Sequence, residues 1–220
     1  RHHRVPLHVD GVQGLGKVPF TVEELGCDLL TISAHKIHGP KGVGALFARK
    51  GIEIDPLIHG GAQEHGLRAS TENVAGIAGL GACCERVPAY LREMERVAGL
   101  RDRLERGLLE FVPGLRRNGP AQDRLPNTLS VRLEGLRGES VVLEMDKRGI
   151  HFSSGSACKS GSPDPSHALL AMGLSEEEAH CTIRLSLGTQ TRAEDVTETL
   201  SQFEQMIEQS KQTVRFVACK

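Results

Sequence analysis

LLTISAHKIHGPKGVGALFA, residues 29–48, joins two short apolar runs through a polar loop that carries two of its three glycines and a lysine pair. The first run, 29–32, is too short for a helix and stops at a polar loop, so it reads as a strand. The second, 43–48, reads as another strand, and its unbroken apolar character predicts burial. Upstream, 5–9 reads as a strand ending at Asp10. Between them, Thr21 and Glu24 have capping-box spacing and predict a short helix. Strands alternating with helices imply an α/β layered architecture for residues 1–87.

Beyond residue 71 the pattern turns helical as far as 111, with Pro88 as a break or kink. Leu91, Met94, Val97, Leu104, Leu108 and Phe111 form one apolar stripe. The remainder reads as α+β, with strands at 127–133, 150–153 and 181–187 and helices at 139–148, 165–172 and 194–211. Ser175 with Glu178, and Thr191 with Glu194, have capping-box spacing. Val196, Leu200, Phe203 and Ile207 mark the buried side of the last helix. A junction near residue 88 predicts two domains, 1–87 and 88–220.

Several function classes are disfavoured. A net charge of -1, no Trp and a single Tyr argue against a nucleic-acid surface, which needs basic and stacking residues. No apolar stretch reaches membrane-spanning length, and the N-terminus lacks the apolar core of a signal peptide. Cysteines 27, 83, 84, 158, 181 and 219 show no CxxC pair, zinc spacing or disulfide framework, so free thiols and a cytoplasmic setting are expected. Cys83 and Cys84 sit on an alanine-rich helical stretch and read as packing residues. The first residue is Arg1 and a strand follows almost at once, which predicts a piece of a longer chain.

Five segments carry chemistry. In Ser33-Ala34-His35-Lys36, a lysine at a strand end can meet a carbonyl as a neutral amine where desolvation and nearby cations favour it. Ser33 and His35 add hydrogen-bonding groups beside it, and taken alone Lys36 reads first as a solvated turn lysine. In His8-Val9-Asp10-Gly11-Val12-Gln13, Asp10 could pair with a protonated pyridine nitrogen and Gln13 could donate to a ring oxygen, or Asp10 could simply shape a turn. Gly60-Gly61-Ala62-Gln63-Glu64 with Arg68 to Asn73 offers a phosphate contact through Thr71, which could instead be an N-cap. Cys158 lies among small residues with Lys159 beside it, a setting that favours thiolate. Arg184, within an apolar strand, needs a carboxylate partner, either a substrate's or an internal Asp or Glu.

Taken together, HVDGVQ (8–13), SAHKIHGPKGVGAL (33–46), GGAQEHGLRASTEN (60–73), LPNTLS (125–130), SSGSACKS (153–160), DPS (164–166) and IRLSLG (183–188) resemble the cysteine desulfurase family. These are NifS/IscS-like, fold-type I enzymes of the class-V aminotransferase superfamily that use pyridoxal 5'-phosphate. The resemblance implies the end of the large cofactor-binding α/β domain followed by a smaller α+β C-terminal domain that carries the catalytic cysteine loop. It implies Lys36 as the cofactor lysine and carrier of the substrate Cα proton, and Cys158 as the nucleophile toward the substrate sulfur. Asp10 would pair with the pyridine nitrogen and Gln13 with the phenolic oxygen. Ser33 and His35 would bind the phosphate, Thr71 the phosphate of a neighbouring subunit, and Arg184 the substrate carboxylate.

The implied activity converts L-cysteine to L-alanine and leaves a persulfide on Cys158 for an acceptor such as an iron–sulfur scaffold protein. A homodimer is implied as well. Selenocysteine lyase is one alternative, and a non-catalytic sulfur carrier or scaffold-binding fragment is another, because the family's N-terminal half supplies one wall of the active site. Two departures stand out: Gly11 replaces an expected alanine, and Ala69-Ser70 stands where Ser-Gly is usual.

Overall fold

The computed structural model describes residues 5–155 and 164–213. They form two compact units, Arg1–Arg92 and Glu93–Lys220, divided inside a long helix.

The first unit is built on three strands in spatial order β1 (His8–Asp10), β2 (Leu29–Ser33) and β3 (Gly44–Ala48). β1 and β2 are parallel, with Asp10 opposite Thr31, and β2 and β3 are antiparallel, with Ser33 opposite Gly44. A crossover through helix α1 (Val22–Leu25) connects the parallel pair, as parallel pairing requires. Thr21 caps α1 in a complete capping box with Glu24. Arg49 then fastens the crossover, donating to the carbonyls of Cys27 and Val22 and pairing with Asp28.

β3 corrects the expectation of a buried strand: all five residues are exposed, with Leu46 at 51 % and Phe47 at 37 %. It is an edge strand paired only with β2, and the Arg49 guanidinium, 5.9 Å from the Phe47 ring centroid, gives it only partial cover. Apolar composition records a tendency to be covered, whereas burial needs a neighbour. The unit's small core gathers Ala34, Ile37 and Leu80, with Leu15, Val43, Cys83, Cys84 and Tyr90 against it. Burial, then the neighbouring Cys83, pushes the Cys84 thiol up.

Helices α2 (Val74–Glu85) and α3 (Val87–Phe111) meet at Arg86, and Pro88 falls in the first turn of α3, where its missing N–H costs nothing. The second unit holds the antiparallel sheet β4 (Arg116–Arg117), β5 (Thr128–Arg132), β7 (Thr182–Ser186) and β6 (Ser153–Ser154), in that order. Period-two alternation sends Leu129, Val131, Ile183 and Leu185 to one face. There they bury with Val97, Leu104 and Leu108 of α3, Val141 and Met145 of α4 (Gly138–Asp146), and Val196, Phe203 and Ile207 of α7 (Ala193–Thr213). Each of the large apolar side chains contributes about 1.5–3 kcal/mol. Short helices α5 (His167–Ala171) and α6 (Glu176–His180) complete the unit, and α6 starts on the expected Ser175–Glu178 capping box.

The other expected capping box is displaced by one residue. Thr191 spends its hydroxyl on the Gly188 N–H, so the Arg192 carbonyl takes the first helical bond, and Asp195 reaches back to the Arg192 N–H.

Candidate active site

In the first unit the carboxyl ends of β1 and β2 lie side by side, where ligands of parallel sheets bind. Asp10 ends β1 with an exposed carboxylate, one oxygen accepting the Val12 N–H at 2.9 Å. That turn leads into a coil in which Leu15 donates back to the Gly11 carbonyl, and it carries Gln13 exposed. Gly11 packs closely: a Cβ would stand 2.8 Å from Leu30 Cδ1, the end of a flexible side chain, and 3.3 Å from the Thr31 carbonyl, so the expected alanine would need a small shift of both.

Two residues beyond Thr31, β2 ends at Ser33 and the chain enters a 3-10 turn, Ala34–Ile37. Positions i and i+3 eclipse in this geometry. Ala34 and Ile37 therefore share the inner side and are buried, while His35 and Lys36 are left outward and exposed. Ser33 Oγ and His35 Nδ1 are 2.8 Å apart. Asp10, Gln13, Ser33, His35 and Lys36 thus come from two chain segments to one end of one sheet.

Lys17 is a residue that sequence reasoning missed. It lies half-buried in the coil after Asp10, where burial and then the nearby Lys36 cation push it below the ordinary lysine value. Its neighbour Gly16 abuts Ile37 and Tyr90. The available signal was a charged residue between apolar Leu15 and Val18 in a glycine-bounded turn.

Thr71 is exposed and does not cap α2; Asn73 does, its side chain accepting the Gly76 N–H at 3.1 Å. Ser70 has φ 94°, a backbone setting that favours glycine, and this is the position where the family resemblance expects one. No described residue hydrogen-bonds Thr71 to the Asp10–Lys36 group.

In the second unit Arg184 occupies the middle of β7, half-buried, on the face opposite the core. Its Nε is buried without a partner, and no described carboxylate pairs with it. The internal Asp or Glu partner that the sequence left open is therefore not found among the described residues. Ser153 and Ser154 form β6 and lead toward Cys158, which lies outside the described residues, as does Cys219. A separate cavity of about 370 Å³ is lined by Arg116, Arg132, Glu177, Glu178 and Cys181, but Arg132 and Glu178 neutralise each other there. Among the described residues no His, Cys, Asp or Glu cluster could hold a metal ion, and no helix is long and apolar enough to cross a membrane.

A family model described as aminotransferase class-V matches residues 1–199. A cysteine desulfurase IscS of Dictyoglomus turgidum is 46% identical over 209 residues, spanning 94% of this chain and 53% of that protein. The cysteine desulfurase IscS of Methanosarcina thermophila is 48% identical over 197 residues, or 89% of this chain and 48% of that protein. Among solved structures, a NifS-like protein superposes with TM-score 0.84 at 38% identity, covering 94% of this chain and 53% of that one. A NifS-like protein from Rickettsia africae gives TM-score 0.84 at 33% identity, covering 92% and 54%. The chain spans about half the length of the curated relatives it matches.

Proposed function

Because this chain belongs to the class-V aminotransferase family, we propose that it is the C-terminal part of a pyridoxal-phosphate-dependent cysteine desulfurase. The observation that carries the reading is the convergence of Asp10, Ser33, His35 and Lys36 at the carboxyl ends of two adjacent parallel strands. An acid, a hydroxyl–imidazole pair and a primary amine at one sheet end fit, in kind and number, a pyridine ring, a phosphate and an aldehyde. Residues 1–87 would close the cofactor domain, and residues 88–220 would form the small domain with the cysteine loop.

When bound, the cofactor supplies an electron sink that makes the substrate Cα–H acidic. Asp10 would keep the proton on the pyridine nitrogen, Gln13 would donate to the phenolic oxygen, and Ser33 and His35 would hold the phosphate. Thr71 would serve the phosphate of a second copy in a homodimer. The Lys36 amine would take the Cα proton, and Arg184 would hold the α-carboxylate. The Cys158 thiolate attacks the substrate Sγ: an S–S bond forms, the Cβ–Sγ bond breaks, and its electron pair ends as a C–H bond at Cβ. The net change is L-cysteine plus enzyme thiol to L-alanine plus enzyme persulfide, a reversible sulfur cap that an iron–sulfur scaffold or another acceptor can draw on. A reducing cytoplasm is the setting that keeps such a thiol available.

The test is the protein incubated with pyridoxal phosphate, reduced with borohydride and mapped by peptide mass spectrometry. Label confined to Lys36 is expected. Label centred on Lys17 or scattered over surface lysines would overturn the assignment. L-Cysteine should then give L-alanine and an alkylatable persulfide on Cys158. Bound cofactor with no alanine would favour a sulfur carrier over an enzyme.

A further inference from the structure

Arg184 stands in the centre of a row that crosses three strands. Ser130 of β5 is its register partner on one side and Ser153 of β6 on the other. Directly opposed residues point to the same face, with Cβ atoms about 4.5–5.5 Å apart. The two serines therefore flank the arginine on the face that carries its side chain.

That face is closed at one end and open at the other. At the closed end the Thr182 hydroxyl donates to the Glu178 carbonyl at 3.0 Å, and Arg132 pairs with the Glu178 carboxylate. At the open end Ser186 is exposed. Between them the hydrogen bonds leave donors over. Asn118 Nδ2 lies 3.2 Å from both Ser130 Oγ and Thr182 Oγ1. Thr182 has committed its proton to Glu178, so it can only accept from Asn118, which fixes the orientation of the amide. Ser130 then also accepts from Asn118 and keeps its own proton free. No described residue takes the proton of Ser153, and Arg184 Nε has no acceptor. Two half-buried hydroxyls and the guanidinium thus share one face and make no hydrogen bond among the described residues that consumes these three protons, while Asn118 Oδ1 beside Ser130 is itself an unpartnered acceptor. Donors left over in this way are costly unless an acceptor completes them.

We propose that Ser130 and Ser153 are substrate-binding residues that donate to the same α-carboxylate as Arg184 and set the preference for an α-carboxylate over an amine lacking one. The proposal rests on the reading of Arg184 as the carboxylate residue. It adds a hydroxyl donor on either side of the guanidinium, one of them on the strand that leads to Cys158.

The experiment compares Ser130→Ala, Ser153→Ala, Ser130→Thr and Arg184→Gln. The first readout needs no turnover: the Arg184 Nε–H resonance of the cofactor-free protein is followed while L-alanine is titrated in. Each serine-to-alanine change should weaken L-alanine about tenfold, the loss of one hydrogen bond to a charged group. Ser130→Thr, which keeps the hydroxyl, should restore it, and a carboxylate-free ligand separates a carboxylate contact from a merely structural role. The second readout is KM for L-cysteine, which should rise by a similar factor with kcat held, while cysteamine, lacking the carboxylate, binds each serine variant as it binds the parent. If Arg184→Gln weakens L-alanine and the serine variants do not, the proposal is overturned and the Arg184 reading survives. If Arg184→Gln changes nothing, the Arg184 reading falls and the proposal with it. Should Ser130→Ala fail to fold, Ser153→Ala on the two-residue strand β6 decides by the same criteria.

Discussion

Glu105 is the residue whose removal tests the packing of the second unit most directly. It is 5 % exposed on α3 and accepts from Arg117 and Arg124, bringing β4 and the segment before β5 onto the helix. Burial alone would push its carboxyl up, but the hydrogen bonds and charges of Arg124 and Arg117 together outweigh burial and hold it below the ordinary carboxylate value. Breaking a buried pair costs about 3–5 kcal/mol when both charges are deep. Here the Arg117 side chain is 29% exposed and can rehydrate, and Arg124 retains Asp102 at 3.6 Å. Glu105→Gln should therefore cost about 2–3 kcal/mol, below the figure for a fully buried pair because this one is partly solvated.

The linkage sign is definite. A carboxylate with a depressed folded pKa contributes its stability above its unfolded value and loses it as pH falls through the folded one. Urea midpoints measured downward from neutral pH should thus fall more steeply in the parent than in Glu105→Gln. A cost under about 0.5 kcal/mol, typical of exposed pairs, would refute the buried-network reasoning, as would parallel pH profiles. The consequence reaches the candidate site by a connected path. Arg101, buried beside this cluster, donates to the Leu125 carbonyl, and two residues on Asn127 exchanges hydrogen bonds with Leu187 at the end of the Arg184 strand.

Lys17→Met should remove an alkaline dependence of stability. The folded Lys17 sits below its ordinary value of 10.5, so its charging penalty is full below the folded pKa and fades as pH rises towards 10.5. Melting temperatures of the parent should gain on the variant over that rise, and parallel curves would show that Lys17 is not held beside Lys36. Ser70→Gly should stabilise by about 0.5–1 kcal/mol, the relief of a φ 94° backbone less the added freedom of the unfolded chain; a loss in urea unfolding would show that Ser70 makes a contact worth more than its strain. Cys158→Ser should retain borohydride-dependent label on Lys36 yet form no persulfide, and sustained sulfide release from L-cysteine by this variant would refute Cys158 as nucleophile.

What the amino-acid sequence determined here is local or chemical in kind. The capping boxes at Thr21–Glu24 and Ser175–Glu178 form as read, because both partners sit within one helical turn and need no distant neighbour. The stripe of α7 and the strand character of 29–33 follow from periodicity in the same way. The side chains suited to a pyridine, a phosphate, an aldehyde and a carboxylate were also on view, as residue types in order. Tertiary structure decided what depends on neighbours remote in sequence. The Thr191–Glu194 cap gave way once the Thr191 hydroxyl found Gly188. β3 proved exposed because burial belongs to the surface that covers a strand and not to the strand itself. The buried Glu105 cluster, the half-buried Lys17 beside Lys36 and the Ser130–Arg184–Ser153 row exist only through strand register and helix packing, which place side chains far apart in the chain within a few ångströms and leave no periodic trace in the sequence.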